Sequence, residues 1–142
     1  KYLKMTGYAE QFLRYAAYAD GKNSEYFSAL GDVYLDQSNY KNASGCFDTA
    51  ALLGSRDIIL YIANGNLKYT KLNNKIGALK DFNIALTIDP LNIEALTNRG
   101  FYYFEIADYN AALADFLAVK KIDPTNEKNI QYIEACKDKI KK

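Results

Sequence analysis

Apolar and small residues recur along this chain at spacings of three and four, the period of a helix with one buried face. Ala43 and Phe47, Ala78 and Phe82, and Ala112 and Phe116 each stand four apart, so each small residue lies one turn from an aromatic ring on the same face. Near the end, Ile130, Ile133, Cys136 and Ile140 form an apolar stripe, while Lys128, Glu134, Lys137, Asp138 and Lys141 keep the other side polar. Asp89-Pro90-Leu91-Asn92 and Asp123-Pro124-Thr125-Asn126 interrupt the pattern as stop-and-restart signals, because proline ends one helix and asparagine caps the next. Together these predict helices near 24–37, 40–53, 58–71, 75–88, 92–105, 109–122 and 126–140.

The pattern also repeats. Residues 59–92 align without a gap on residues 93–126, and eleven of the thirty-four positions are identical, among them Asn64/Asn98, Tyr69/Tyr103, Asp81/Asp115 and Phe82/Phe116. A period of this length marks a helical repeat array, in which no single unit buries its apolar face alone. An upstream copy carries Leu30-Gly31, Tyr34, Tyr40, Ala43, Phe47 and Ala50, and the last carries Gly100, Tyr103, Tyr109, Ala112, Phe116 and Pro124. The middle copy has Gly65-Asn66 where Leu-Gly is expected. Close helix crossings need small side chains, which Gly31, Ala43, Gly100 and Ala112 supply.

These residues resemble the signature of the tetratricopeptide repeat (TPR) family. The resemblance implies an all-α fold, a TPR-like superhelical array of antiparallel helix pairs (an α-solenoid) with a C-terminal capping helix. It covers nearly the whole chain as one domain: a partial repeat at 1–23, repeats at 24–58, 59–92 and 93–126, and a cap at 127–142. Tyr2 to Tyr8 parallels Tyr34 to Tyr40, so a turn is expected near Gly7, with Tyr8–Asp20 as the second helix of an earlier hairpin. The chain starts with Lys, which reads as a piece of a longer protein. On that reading residues 1–7 are weakly anchored, and apolar area from Tyr2 and Leu3 toward Tyr15 and Tyr18 favours a homodimer through this end.

Composition narrows the function. No histidine is present, which removes the commonest general base and metal ligand, and Cys46 and Cys136 lack metal-binding or redox spacing. No catalytic residue, cofactor or metal is therefore expected. A net charge of +1 argues against nucleic acid, and no apolar run is long enough to span a membrane. Compartment is left open.

What remains is a non-enzymatic protein–protein interaction module. Alternatives are a self-assembly scaffold or an accessory domain of a larger enzyme or secretion and assembly complex. In the TPR arrangement the first helix of each hairpin lines a concave groove that often receives an extended peptide. Helical spacing then aims Ser28, Asp32 and Asp36, then Asn64, Leu67 and Lys71, then Asn98, Phe101 and Glu105, then Lys128 and Tyr132 at that groove, with Asp32 and Asp36 making one end acidic. The asparagines are candidates to bond a peptide backbone, and Leu67, Phe101 and Tyr132 to hold an apolar side chain; the alternative for Asn64 and Asn98 is a bond to a neighbouring helix. A two-carboxylate clamp of the family's chaperone-binding subtype is matched by Asn98, which Arg99 follows, and by Lys128, but three of its five positions, Ala63, Leu67 and Tyr132, lack the needed group. An extended or helical peptide with an apolar anchor is expected instead.

Overall fold

The computed structural model describes the backbone from residue 2 to residue 142, and side chains from residue 7 onward. It contains eight α-helices among the described residues: α1 (Tyr2–Ala19), α2 (Ser24–Asp36), α3 (Tyr40–Leu52), α4 (Ile58–Thr70), α5 (Lys75–Ile88), α6 (Ile93–Glu105), α7 (Tyr109–Ile122) and α8 (Glu127–Ile140). They form two compact units, residues 1–74 and 75–142, and the division falls inside the middle repeat. In the first unit α2 packs against both α1 and α3, and α3 also against α4; in the second, α6 packs against both α5 and α7, and α7 also against α8.

The helix boundaries follow from local chemistry. Asn23 and Asp57 accept bonds from the backbone N–H two residues on, and Asn92, Asp108 and Asn126 from the N–H three residues on, each at 2.9–3.1 Å. These side chains satisfy amides that the first turn of a helix leaves without partners. Asp89 and Asp123 brace the Pro90 and Pro124 turns by accepting from the N–H groups of Leu91 and Thr125.

At the other end, three helices stop at a left-handed residue in the same register: Ser38, Asn73 and Ala107, with φ of 57°, 51° and 62°. At all three stops a bond reaches back over the turn: Asn39 N–H to Tyr34 O and Asn74 N–H to Lys68 O, each at 2.8 Å, and Asp108 N–H to Tyr103 O at 2.9 Å. The corresponding position upstream is Thr6, whose β-branched side chain is poorly suited to positive φ. The turn expected at Gly7 is accordingly absent, and α1 runs unbroken from Tyr2 to Ala19. The expectations placed on the side chains of Tyr2 and Leu3 lie outside the described residues.

Each unit is centred on a ring lying over a glycine. In the first, a Cβ added to Gly31 would fall 2.5 Å from the Phe47 ring; in the second, a Cβ on Gly100 would fall 2.8 Å from Phe116. Glycine is therefore required by close approach rather than by backbone angle. Around Phe116 the second core gathers Ala112, Ile133 and Cys136, with Phe101, Tyr103, Phe104, Leu113 and Tyr132 packed on its edge. Of the apolar stripe expected on α8, Ile133 and Cys136 are buried here, Ile130 is half-buried, and Ile140 is 42 % exposed.

Two stability outcomes follow. Phe116→Ala empties a fully buried site and is expected to cost about 3–5 kcal/mol, and Ala112→Leu overpacks the crossing by about 1–3 kcal/mol. Urea unfolding monitored by circular dichroism measures both, and near-neutral values for the pair contradict this packing. Ala107→Gly relieves the left-handed residue and is expected to stabilise by up to about 1 kcal/mol in the same assay.

Candidate functional site

The residues expected to face a groove divide by environment. Asn64 is only 1 % exposed, and its amide is fully engaged on α3: Ser44 Oγ donates to its Oδ1 at 2.8 Å, while its Nδ2 donates to Asp48 Oδ1 at 2.8 Å. Lys68 donates to the same carboxylate oxygen at 2.6 Å, closing a network between α3 and α4. Leu67 is buried too. Both residues are thus corrected from groove-facing to structural: the α4 face that carries them is turned inward. Lys71 stays exposed, its ammonium 5.4 Å from the centre of the Tyr40 ring.

In the second unit Asn98 is half-buried and engaged, and Glu105 accepts an ion pair from Lys75 at 2.8 Å. Arg99, the residue after Asn98, is turned into the helix packing. It makes a two-pronged bond to Asp115, at 2.9 and 2.7 Å, and a third bond to Asn83 at 2.8 Å. The bonded, buried carboxylate holds the guanidinium pKa above its ordinary value. Such a fork fixes α6 against α7 and α5.

Phe101, Lys128 and Tyr132 do come together. The Phe101 and Tyr132 rings meet edge to face at 4.7 Å, Tyr132 stacks on Phe116 at 5.4 Å, and the Lys128 ammonium lies 5.9 Å from the Phe101 ring. Beside them is a cavity of about 90 Å³, lined by Thr97, Phe101, Phe116, Lys128, Asn129 and Tyr132, with Asn126 at its edge. Asn129 is 5 % exposed; its Nδ2 donates to the Phe116 carbonyl at 2.9 Å, whereas its Oδ1 has no partner. An unsatisfied buried acceptor in a cavity wall is a place for a donor group. Asn129 was not among the sequence candidates, yet the repeat alignment contains the signal: thirty-four residues earlier stands Ala95, fully buried. The helix packing uses the Asn129 Nδ2 and leaves its Oδ1 over.

A second, open cleft lies in the first unit, about 610 Å³, between α2 and the 54–57 loop, with Ser28, Asp32, Arg56 and Asp57 on its walls. Although Asp32 is solvent-accessible, partial burial of its carboxyl, then Asp36 and Asp57, raise its pKa above 3.8. Burial likewise pushes the Cys46 and Cys136 thiols up from 9.0, which makes them poor nucleophiles. Among the described residues no cluster of His, Cys, Asp or Glu suits a metal ion, and no helix is long and apolar enough to cross a membrane.

These features define a class: an all-α protein of repeated antiparallel helix pairs. Residues 93–126 match the family model for the tetratricopeptide repeat. Over 134 residues the chain is 27 % identical to an Hsp70-Hsp90 organizing protein of Triticum aestivum, covering 94 % of this chain and 23 % of that protein. The chain thus spans about a quarter of the curated relatives it matches first. Among solved structures it superposes on YrrB, described as a TPR protein with an unusual peptide-binding site, with a TM-score of 0.83 and 22 % identity over 94 % of this chain and 69 % of that one. It also superposes on the first TPR of Spaghetti (RPAP3) bound to the HSP90 peptide SRMEEVD, with a TM-score of 0.72 and 18 % identity over 87 % and 97 % of the two chains. Residues 93–126 thus carry the sequence of a tetratricopeptide repeat, and the chain around them shares the fold of the TPR structures it superposes on.

Two outcomes test the site geometry. Asn64→Ala leaves Ser44 and Asp48 without their shared partner and is expected to destabilise by about 1–3 kcal/mol in denaturant titration, where a surface asparagine has almost no effect. Asp32 behaves oppositely. Its folded-state pKa is raised, so its ionised form weakens the fold above that pKa and the penalty disappears as acid protonates it. Asp32→Asn is therefore expected to raise Tm at pH 7 and to leave it unchanged near pH 3; a lower Tm at pH 7 contradicts this.

Proposed function

We propose that this chain is a non-enzymatic protein interaction module, and that in the second unit the α6–α8 surface holds a peptide by an apolar anchor. The observation that carries this reading is the aromatic cavity with the unpartnered Asn129 oxygen in its wall. Phe101 and Tyr132 supply apolar area, Asn129 Oδ1 accepts one hydrogen bond, and Lys128 sets positive charge at the mouth. A side chain small enough for about 90 Å³, followed by an acidic or neutral residue, is complementary. A protein rather than a nucleic acid fits the balanced charge of +1. The peptide held by the Spaghetti repeat domain and the peptide site of YrrB support the class of ligand by likeness of fold. The missing Asn64 and Leu67 groove positions and the engaged Arg99 argue against transferring a two-carboxylate clamp.

Self-association is a second reading, favoured by a separate observation: Tyr8, Phe12, Tyr15 and Tyr18 on α1 are 69–89 % exposed. Whether this module serves as a scaffold or as an accessory to a larger assembly is then a question of what those two surfaces hold.

A randomised peptide display library selected on the wild-type protein tests the first reading. Selected peptides are expected to share a small apolar residue, and Phe101→Ala to weaken them by more than about 1.4 kcal/mol, tenfold in Kd, by calorimetry. Lys128→Ala, at an exposed position, is expected to weaken peptides with a neighbouring acidic residue and to leave neutral ones unchanged. Peptides bound equally by all three proteins place the working surface elsewhere.

A further inference from the structure

The self-association reading is deepened by comparing α1 with the helices that hold the two buried rings. In register, Tyr8, Gln11, Tyr15 and Tyr18 of α1 correspond to Tyr40, Ala43, Phe47 and Ala50 of α3, and to Tyr109, Ala112, Phe116 and Val119 of α7. In α3 and α7 the last three of these positions are buried, with the ring over Gly31 or Gly100 of the preceding helix. In α1 the same face is open. Tyr15 is 73 % exposed and Tyr18 89 %. Phe12 extends the face, and none of Tyr8, Gln11, Phe12, Tyr15, Tyr18 or Ala19 carries a charge. The opposite side of α1 is already used: Glu10 accepts from Tyr34 Oη of α2 and from Nε2 of Gln37 just after it, and Ala17 is buried.

The glycine half of the contact is on α1 as well. A Cβ added to Gly7 would meet nothing within 4 Å, unlike one added to Gly31 or Gly100. Gly7 precedes Gln11 by four residues and Tyr18 by eleven, so it lies along the edge of the exposed stripe. One helix thus presents both an uncovered ring and an uncovered glycine, and each has the counterpart that the other lacks.

We infer that α1 pairs antiparallel with α1 of a second copy, with Gly7 of each protomer beneath Tyr15 of its partner. Gly7 and Tyr15 stand four residues to either side of Gln11, so a two-fold axis at Gln11 seats both contacts at once. Eight exposed rings in the pair offer on the order of 1,200 Å² for burial, the lower end of the range for specific interfaces. The residues named on the stripe carry no charge, so they add no like-charge repulsion to a self-pairing surface.

This rests on the self-association reading, and sedimentation equilibrium separates the two. The variants are Gly7→Leu, Tyr15→Ala and, on α3, the control Leu52→Ala, whose side chain is 87 % exposed. Gly7→Leu fills open space on a helix and raises helix propensity, so it leaves the monomer folded while blocking the ring. The wild type is expected to dimerise, Gly7→Leu and Tyr15→Ala each to raise the dimer Kd at least tenfold with unchanged circular dichroism, and Leu52→Ala to leave it alone. A dimer that both α1 variants leave intact overturns the Gly7–Tyr15 contact while self-association stands through another face. A wild type monomeric at millimolar concentration overturns both.

Discussion

Each unit depends on one close approach, an aromatic ring seated on a glycine backbone. Gly31 and Phe47 make it in the first unit, Gly100 and Phe116 in the second. The contact admits no Cβ, so it fixes how near the two helices stand. That distance in turn decides which neighbouring positions are covered. Ala43, Ala50 and Ala112 are fully buried because the helices are too close there for a larger side chain. Around Phe116 the same approach leaves room for Tyr132 to stack and for Phe101 to meet it edge-on, which builds the cavity wall. Packing and candidate site are therefore one construction: the ring that closes the hairpin is also part of the surface proposed to meet a peptide.

Polar groups then do different work in the two units although the repeats are aligned. Asn64, Lys68, Ser44 and Asp48 tie α3 to α4 in the first. In the second, Arg99, Asp115 and Asn83 tie α6 to its neighbours on both sides. The Arg99–Asp115 fork is mostly shielded from water, and removing one partner leaves the other uncompensated. The Lys68–Asp48 pair has one partner half-exposed, so it is worth less as an ion pair than as the clamp that orients Asn64. A repeat array keeps the ring and the small residue at fixed offsets and varies its polar fastenings between them.

Much of this architecture was legible in the sequence because it is written in local chemistry. Asparagine and aspartate caps, the Asp-Pro turns and the small-to-aromatic spacing act within a few residues, so the helices from 24 to 140 fall within one residue of the expected ends. What was not legible needed a partner in space. Asn64 and Asn98 are identical in the alignment, but Asn64 lies opposite Ser44 and Asp48 of the preceding helix, whose counterparts ahead of Asn98 are Leu79 and Asn83, and Asn83 accepts from Arg99. Periodicity aimed Leu67 at solvent, whereas the fold buries it. The turn expected at Gly7 rested on a likeness of spacing, but Thr6 stands at the register position where other repeats turn left-handed, and α1 stays helical through it. Asn129 was visible only as a polar residue opposite a buried alanine.

The ring-on-glycine contact is tested most directly by a double-mutant cycle between Gly100→Ala and Phe116→Leu, read by urea unfolding. With Phe116 present the added methyl has no room; with leucine there the space opens. The expected result is a coupling of at least about 1 kcal/mol, with Gly100→Ala destabilising in the wild type and neutral or stabilising beside Leu at 116. Additive effects within about 0.5 kcal/mol would contradict the account, because they would mean that the ring and the glycine do not meet.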